Sequence, residues 1–174
     1  MSNYSSPVPK GCRLTSGFMT KARPDHAGSD WAPPKPGQTG VEVHAVASGK
    51  VVAASTGVLK GHTGKIVVLD HGWRTGNGST DKVLTNYGHL AKILVNEGDT
   101  VKAGDVIAIM GTTGNSSNVH LHLGVRFLRE GTSVYKWSDP KEWLHTKGIV
   151  PGKTAPLSSK KKPSACIRNW QLSM

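Results

Sequence analysis

In the run Val119-His120-Leu121-His122-Leu123-Gly124-Val125, apolar and polar residues alternate with the period of a β-strand. Val119, Leu121, Leu123 and Val125 then share one face and His120, His122 and Gly124 the other, so two imidazoles project side by side from a strand otherwise suited to burial. A second group, His26-Ala27-Gly28-Ser29-Asp30, sets a histidine and a carboxylate four residues apart. Pro24, Gly28 and Pro33-Pro34 disfavour a helix there, which puts the pair on a loop or extended turn. Neither group is specific alone. Together, two imidazoles and one carboxylate are the ligand set of a catalytic zinc ion, which takes three protein ligands and keeps a fourth position for water. Such a centre also needs a group to accept a proton from the water and one to meet the charge developing on the polarised carbonyl. His89, in Asn86-Tyr87-Gly88-His89-Leu90 at the end of a strand, and the histidine of the 120/122 pair not used by the metal can supply both. Histidine suits the task because its ordinary pKa lies near neutrality.

The other histidines have plainer readings. His44 falls on the polar side of an alternating strand, His62 in a turn, His145 in a terminal helix, and His71 at a strand-to-turn junction with a structural role. The elements that must hold these groups are mainly strands. Expected strands cover residues 41–47, 50–54, 65–71, 82–89, 100–101, 106–110 and 119–127, short apolar runs cut by Gly, Asn, Asp and Pro. One helix, residues 140–146, is predicted with Asp139 as cap and Pro140 in the first turn.

Composition agrees: 21 Gly and 10 Pro in 174 residues, with 36% hydrophobic residues, favour a strand-and-turn architecture over long helices. The fold class expected is all-β, a small antiparallel sheet or sandwich with few short helices. Residues 1–150 read as one domain, and residues 151–174, rich in Lys, Ser and Pro, as a solvated basic tail. No run reaches the ~18 apolar residues of a spanning helix, and the first residues carry no apolar core of signal-peptide type. Cys12 and Cys166 are expected as free thiols. The formal net charge of +11 raises nucleic acid as a partner, but the basic residues are scattered or in the tail and no aromatic stripe accompanies them. Attraction to an anionic polymer accounts for the charge equally well.

The sequence resembles the lysostaphin-like (LytM-type) zinc metalloendopeptidases, which cut the peptide part of bacterial peptidoglycan. The resemblance runs in order through Leu14-Thr15-Ser16-Gly17-Phe18 and Arg23, then His26 to Asp30, Val43 to Val51, Asp70-His71-Gly72 and Tyr87-Gly88-His89-Leu90. It continues through Val101 to Ile107 and Gly111 to Asn115, then His120-Leu121-His122-Leu123, trailing into Asp139-Pro140. It implies one Zn²⁺ per chain held by His26, Asp30 and His122, with His89 and His120 as the catalytic pair. It also implies a duplicated hybrid motif related to the barrel-sandwich hybrid, with a narrow groove whose floor carries the zinc. Three departures stand out: a long proline-bearing stretch from Trp31 to Gly40, a polar insertion from Thr75 to Asp81, and Val119 where a proline often precedes the HLH motif. The first two are expected to remodel the groove walls, while Gly28, Gly88 and Gly124 are expected to admit an extended peptide backbone.

The function expected is hydrolysis of peptidoglycan stems or cross-bridges by a monomer, as a phage endolysin or virion-associated lysin. Such an enzyme is held in the host cytoplasm or the virion until it reaches the wall. A catalytically inactive peptidoglycan-binding or amidase-activating homologue is the alternative. Residues 95–106 also look like the strand-turn pattern of biotinyl and lipoyl carrier domains, but no attachment lysine of their type is present.

Overall fold

The β-branched and alternating runs form strands, and glycines close the turns between them. A computed structural model describes residues 3–57, 64–76 and 78–157. The described strands are β1 (Arg13–Ser16), β2 (Ser29–Ala32), β3 (Glu42–His44), β4 (Gly49–Thr56), β5 (Lys65–Gly76) and β6 (Ser79–Gly88). They continue with β7 (Leu90–Ile93), β8 (Thr100–Val101), β9 (Val106–Met110), β10 (Leu121–Arg129) and β11 (Tyr135–Ser138), and one helix follows, α1 (Pro140–His145). The larger sheet has the order β1-β2-β10-β6-β5-β4-β8 with β11 added to β10, and the smaller has the order β3-β9-β7. Every pairing within these sheets is antiparallel, in agreement with the all-β expectation.

One main core joins the sheets. Trp31, Val51, Val67, Leu69, Tyr87, Leu121 and Leu123 of the larger sheet pack with Val43, Leu90, Ile107 and Met110 of the smaller. Each fully buried Leu, Ile or Val contributes about 1.5–3 kcal/mol, so alternation along β10 fixes which way His122 points. The Tyr87 hydroxyl accepts from the Val46 N–H at 3.0 Å and so ties β6 to the segment after β3. Asp139 caps α1 by accepting from Lys141 N–H at 2.8 Å, as the sequence predicts.

The structure departs from the expected layout in several places. The stretch from Thr75 to Asp81 is the tip of a long β5–β6 hairpin, with Thr75 opposite Thr80. Thr75, Ser79 and Asp81 line a separate cleft of about 500 Å³ beside Tyr4, Phe127 and Trp143, so this insertion does not wall the histidine groove. His44 is buried, 7% exposed, and shares a hydrogen bond of 2.9 Å with Gly104 O, because the turn at residues 103–105 covers the face expected to be polar. β1, β2, β7 and β11 lie outside the predicted strands. His71 holds its structural place between Ser48 O and Thr85 Oγ1. Cys12 is a buried thiol whose burial pushes its pKa up to about 11, and Cys166 lies outside the described residues, as does His62. Residues 151–157 lie against the domain: Pro151 and Gly152 are buried and the Leu157 N–H donates to Ser5 Oγ at 2.9 Å. The rest of the expected tail, residues 158–174, lies outside the described residues.

Candidate metal centre

Antiparallel pairing brings the widely separated groups together. On the larger sheet Asp30 of β2 lies opposite His122 of β10, which lies opposite Gly88 of β6, and His89 follows Gly88 directly. Residues opposite one another in a sheet share a face, so Asp30 and His122 point the same way, away from the core that holds Trp31, Leu121 and Leu123. His26 sits in the turn before β2, and Asp30, expected on a loop, is the second residue of that strand.

Three donor atoms converge. His26 Nε2 is 3.1 Å from Asp30 Oδ1, His122 Nδ1 is 2.9 Å from the same oxygen, and the two ring nitrogens are 3.1 Å apart. All three residues are buried. Bond lengths of ~2.0–2.1 Å to a tetrahedral zinc place neighbouring ligand atoms about 3.3 Å apart, so this spacing is close to that of a metal site. His26 carries the usual support of a histidine ligand: Nδ1–H donates to Gly17 O at 2.8 Å, which turns the Nε2 lone pair inward. Asp30 divides its oxygens, with Oδ2 accepting from Arg23 Nη1 at 3.0 Å. Burial works against the Asp30 charge, but the facing His122 and His26 rings outweigh it and hold the carboxyl well below the usual carboxylate range. The His122 pKa is lowered chiefly by burial, which favours the neutral ring that a metal ligand requires.

Two further imidazoles flank this triangle. The His89 ring lies 4.7 Å from that of His120 and 5.9 Å from that of His122, centroid to centroid, and His120 Nε2 is 3.8 Å from Asp30 Oδ1. Their tautomers follow from their partners. A carbonyl oxygen only accepts, so His89 Nδ1–H donates to Thr113 O and His120 Nδ1–H to Asn118 O, each at 2.8 Å. In the neutral rings Nε2 is then the basic nitrogen. Burial is the main cause of a lowered pKa at His89, with the neighbouring His120 and His122 acting in the same direction. His89 also adopts φ = +60°, a left-handed conformation uncommon outside glycine, at the point where β6 gives way to β7.

All five residues singled out in the sequence therefore meet at one end of β10. Two of the glycines, Gly28 and Gly124, play another part than expected. A Cβ on Gly28 would lie 2.6 Å from His122 Nε2, and one on Gly124 would lie 2.5 Å from Asn86 Nδ2. These glycines make room for the protein's own side chains rather than for a substrate backbone. Arg23 and Ser16, the support behind Asp30 and His26, have no part in the sequence-level site. In the sequence they stand only among the residues that carry the family resemblance, with no role attached, and the structure places them against His26 and Asp30.

Comparison with known proteins agrees with this geometry: the family model described as peptidase family M23 matches residues 24–135. The chain belongs to peptidase family M23. Among M23 relatives, the peptidoglycan DD-endopeptidase ShyB of Vibrio cholerae is 36% identical over 129 residues, 68% of this chain and 26% of that protein. The murein hydrolase activator NlpD of Salmonella typhimurium is 38% identical over 98 residues, 56% of this chain and 22% of that protein. The chain thus spans about a quarter of the length of these relatives. The solved structure of lysostaphin from Staphylococcus simulans matches with a TM-score of 0.61 at 26% identity, covering 85% of this chain and 55% of that one. The lysostaphin-like resemblance read from the motifs and the M23 match thus agree.

Proposed function

We propose that the chain is a zinc-dependent endopeptidase that hydrolyses peptide bonds in bacterial peptidoglycan, acting as a wall lysin of the phage type. The observation that carries this reading is the convergence of His26 Nε2, Asp30 Oδ1 and His122 Nδ1 within 3.1 Å, beside two histidines whose Nε2 atoms are basic. His26, Asp30 and His122 would hold the ion. Zinc bound there supplies Lewis acidity to a water and to the scissile carbonyl, lowering the water's pKa toward ~7. His89 and His120 do the proton work. One ring takes the proton of the attacking water at Nε2, and the imidazolium so formed holds the oxyanion with its Nε2–H and then passes that proton to the leaving amine as the C–N bond breaks. The Thr113 and Asn118 carbonyls hold both rings in the tautomer this requires. Support for the substrate comes from the likeness to ShyB, a peptidoglycan DD-endopeptidase, and from the charge of +11, suited to anionic walls.

A second reading, an activator of other wall hydrolases without hydrolysis of its own, rests on the 38% identity to NlpD. The filled ligand set and the two paired histidines weigh against it. Digestion of purified peptidoglycan of known cross-bridges by the zinc-supplemented protein, with new termini identified by mass spectrometry, separates the two. New peptide termini are expected. Their absence, together with stimulation of an added amidase, would replace the first reading by the second.

A further inference from the structure

The groove over the metal centre is a cleft of about 540 Å³, and its charge is one-sided. Asp30 is the only carboxylate among the described residues that line it, against two guanidinium groups, Arg13 and Arg23. Both oxygens of Asp30 are occupied, Oδ2 by Arg23 and Oδ1 by the facing histidines, so no acidic oxygen is left to neutralise the wall. Arg23 spends Nη1 on Asp30 Oδ2 and Ser16 Oγ, each at 3.0 Å. Its side chain is 53% exposed, and its Nε and Nη2 donors make no hydrogen bond among the described residues. Arg13 is exposed and has no ion pair among the described residues. The opposite wall offers Asn115 and Asn118, polar and uncharged.

The strand register sets the reach of this charge. Arg13 lies opposite Ala32 and Ser16 opposite Asp30. Arg13 therefore stands on the groove face two residues along β2 from Asp30, about 7 Å away along the strand. Arg23 touches Asp30 itself. A peptide extended along β2 through the groove would pass both guanidinium groups within two residues of the bond at the metal. We infer that this wall selects a peptide with a free carboxylate within two residues of the scissile bond, as in an acidic peptidoglycan stem, over an uncharged glycine bridge. The inference rests on the peptidase reading above and narrows its substrate. A guanidinium fork recognises a carboxylate with two parallel hydrogen bonds, and an amide in its place loses both the charge and one acceptor.

The test compares three soluble substrates with the full-length, zinc-loaded protein: a cross-linked stem-peptide dimer with that carboxylate free, the same dimer with it amidated, and pentaglycine. Equilibrium binding of the two matching single-stem product peptides is measured in parallel, so the selectivity is read without turnover. The free-carboxylate dimer is expected to be cleaved with at least about tenfold higher kcat/KM than the amidated one. Arg13→Gln should remove most of that ratio, Arg13→Lys should restore part of it, and added salt should shrink it. Equal use of both dimers, or preference for pentaglycine, would overturn the inference and leave the peptidase reading standing. A binding preference for the free carboxylate with no cleavage of any substrate would sustain the inference and overturn the peptidase reading.

Discussion

Arg23 and Asp30 are joined by one hydrogen bond, Nη1 to Oδ2 at 3.0 Å, and through it the carboxylate presents a single oxygen to His26 and His122. Arg23 is therefore a positioning residue for a proposed ligand. Its replacement by Ala frees Asp30 to rotate and to offer both oxygens. Zinc affinity, measured by competition with a chelator, should fall about 10- to 100-fold, the usual cost of losing such outer support. An unchanged affinity would mean that the packing around Asp30 alone fixes the carboxylate.

The two histidine classes should separate by metal content. His122→Ala removes one of the three proposed ligands and should leave the purified protein with little zinc by elemental analysis. His89→Ala and His120→Ala should keep their zinc and lose about 10²-fold or more in turnover on a peptidoglycan-derived peptide. Loss of zinc in His89→Ala would exchange the assigned roles.

Gly28→Ala tests the fit behind the ligand. The added Cβ would meet His122 at 2.6 Å from Nε2 and the Leu123 carbonyl at 2.6 Å, and neither β10 backbone nor a packed ring can yield that space cheaply. The variant should lose zinc and melt at lower temperature, although residue 28 bears no ligand atom.

Stability should depend on pH through His71. Burial lowers its folded pKa, and the neutral ring is held between Ser48 O and Thr85 Oγ1. The unfolded chain then binds a proton more readily than the folded one. This contribution is fully present above the unfolded value of ~6.5 and is lost as pH falls from there through the lower folded value. Thermal melts between about pH 8 and 5 should show a fall in Tm below pH 6.5. His71→Asn should flatten that fall while costing about 1–3 kcal/mol at neutral pH through the lost hydrogen bonds. An identical pH slope in the variant would assign the effect to other groups.

What could be read from the sequence was what obeys a local period. The alternation around His120 and His122 marks both the strand and the side its ligand faces, and β8 and β9 appear with the bounds expected of them. What escaped depends on contacts remote in sequence. β2 is four residues long and lies between prolines, so it has no periodic run to show; it becomes a strand by pairing with β1 and β10. His44 looked polar-facing because alternation reports two sides of a strand and not what covers them, and here the turn at Gly104 covers one. Gly28 and Gly124 carry no sign in sequence of whose atoms they make room for. The M23 motifs therefore locate the five histidine and aspartate positions, while the Arg23 clamp emerges only once Ser16, Arg23 and Asp30 are neighbours in space.

His122 lies 92 residues from Asp30 and 96 from His26 along the chain, and this gap governs when the site comes into being. In a zinc finger the ligands are close in sequence and the ion directs folding from the start. Here a chain that has been made only as far as β9 has two of the three proposed ligands and lacks the strand that carries the third. The loop that must close is long, and although its entropy grows only with the logarithm of its length, contacts of such separation are slow to form. With the proposed ligand set, metal capture is thus a late event, coupled to the docking of β10 between β2 and β6. Under the proposed peptidase reading, hydrolysis begins only once β10 has been made and has docked.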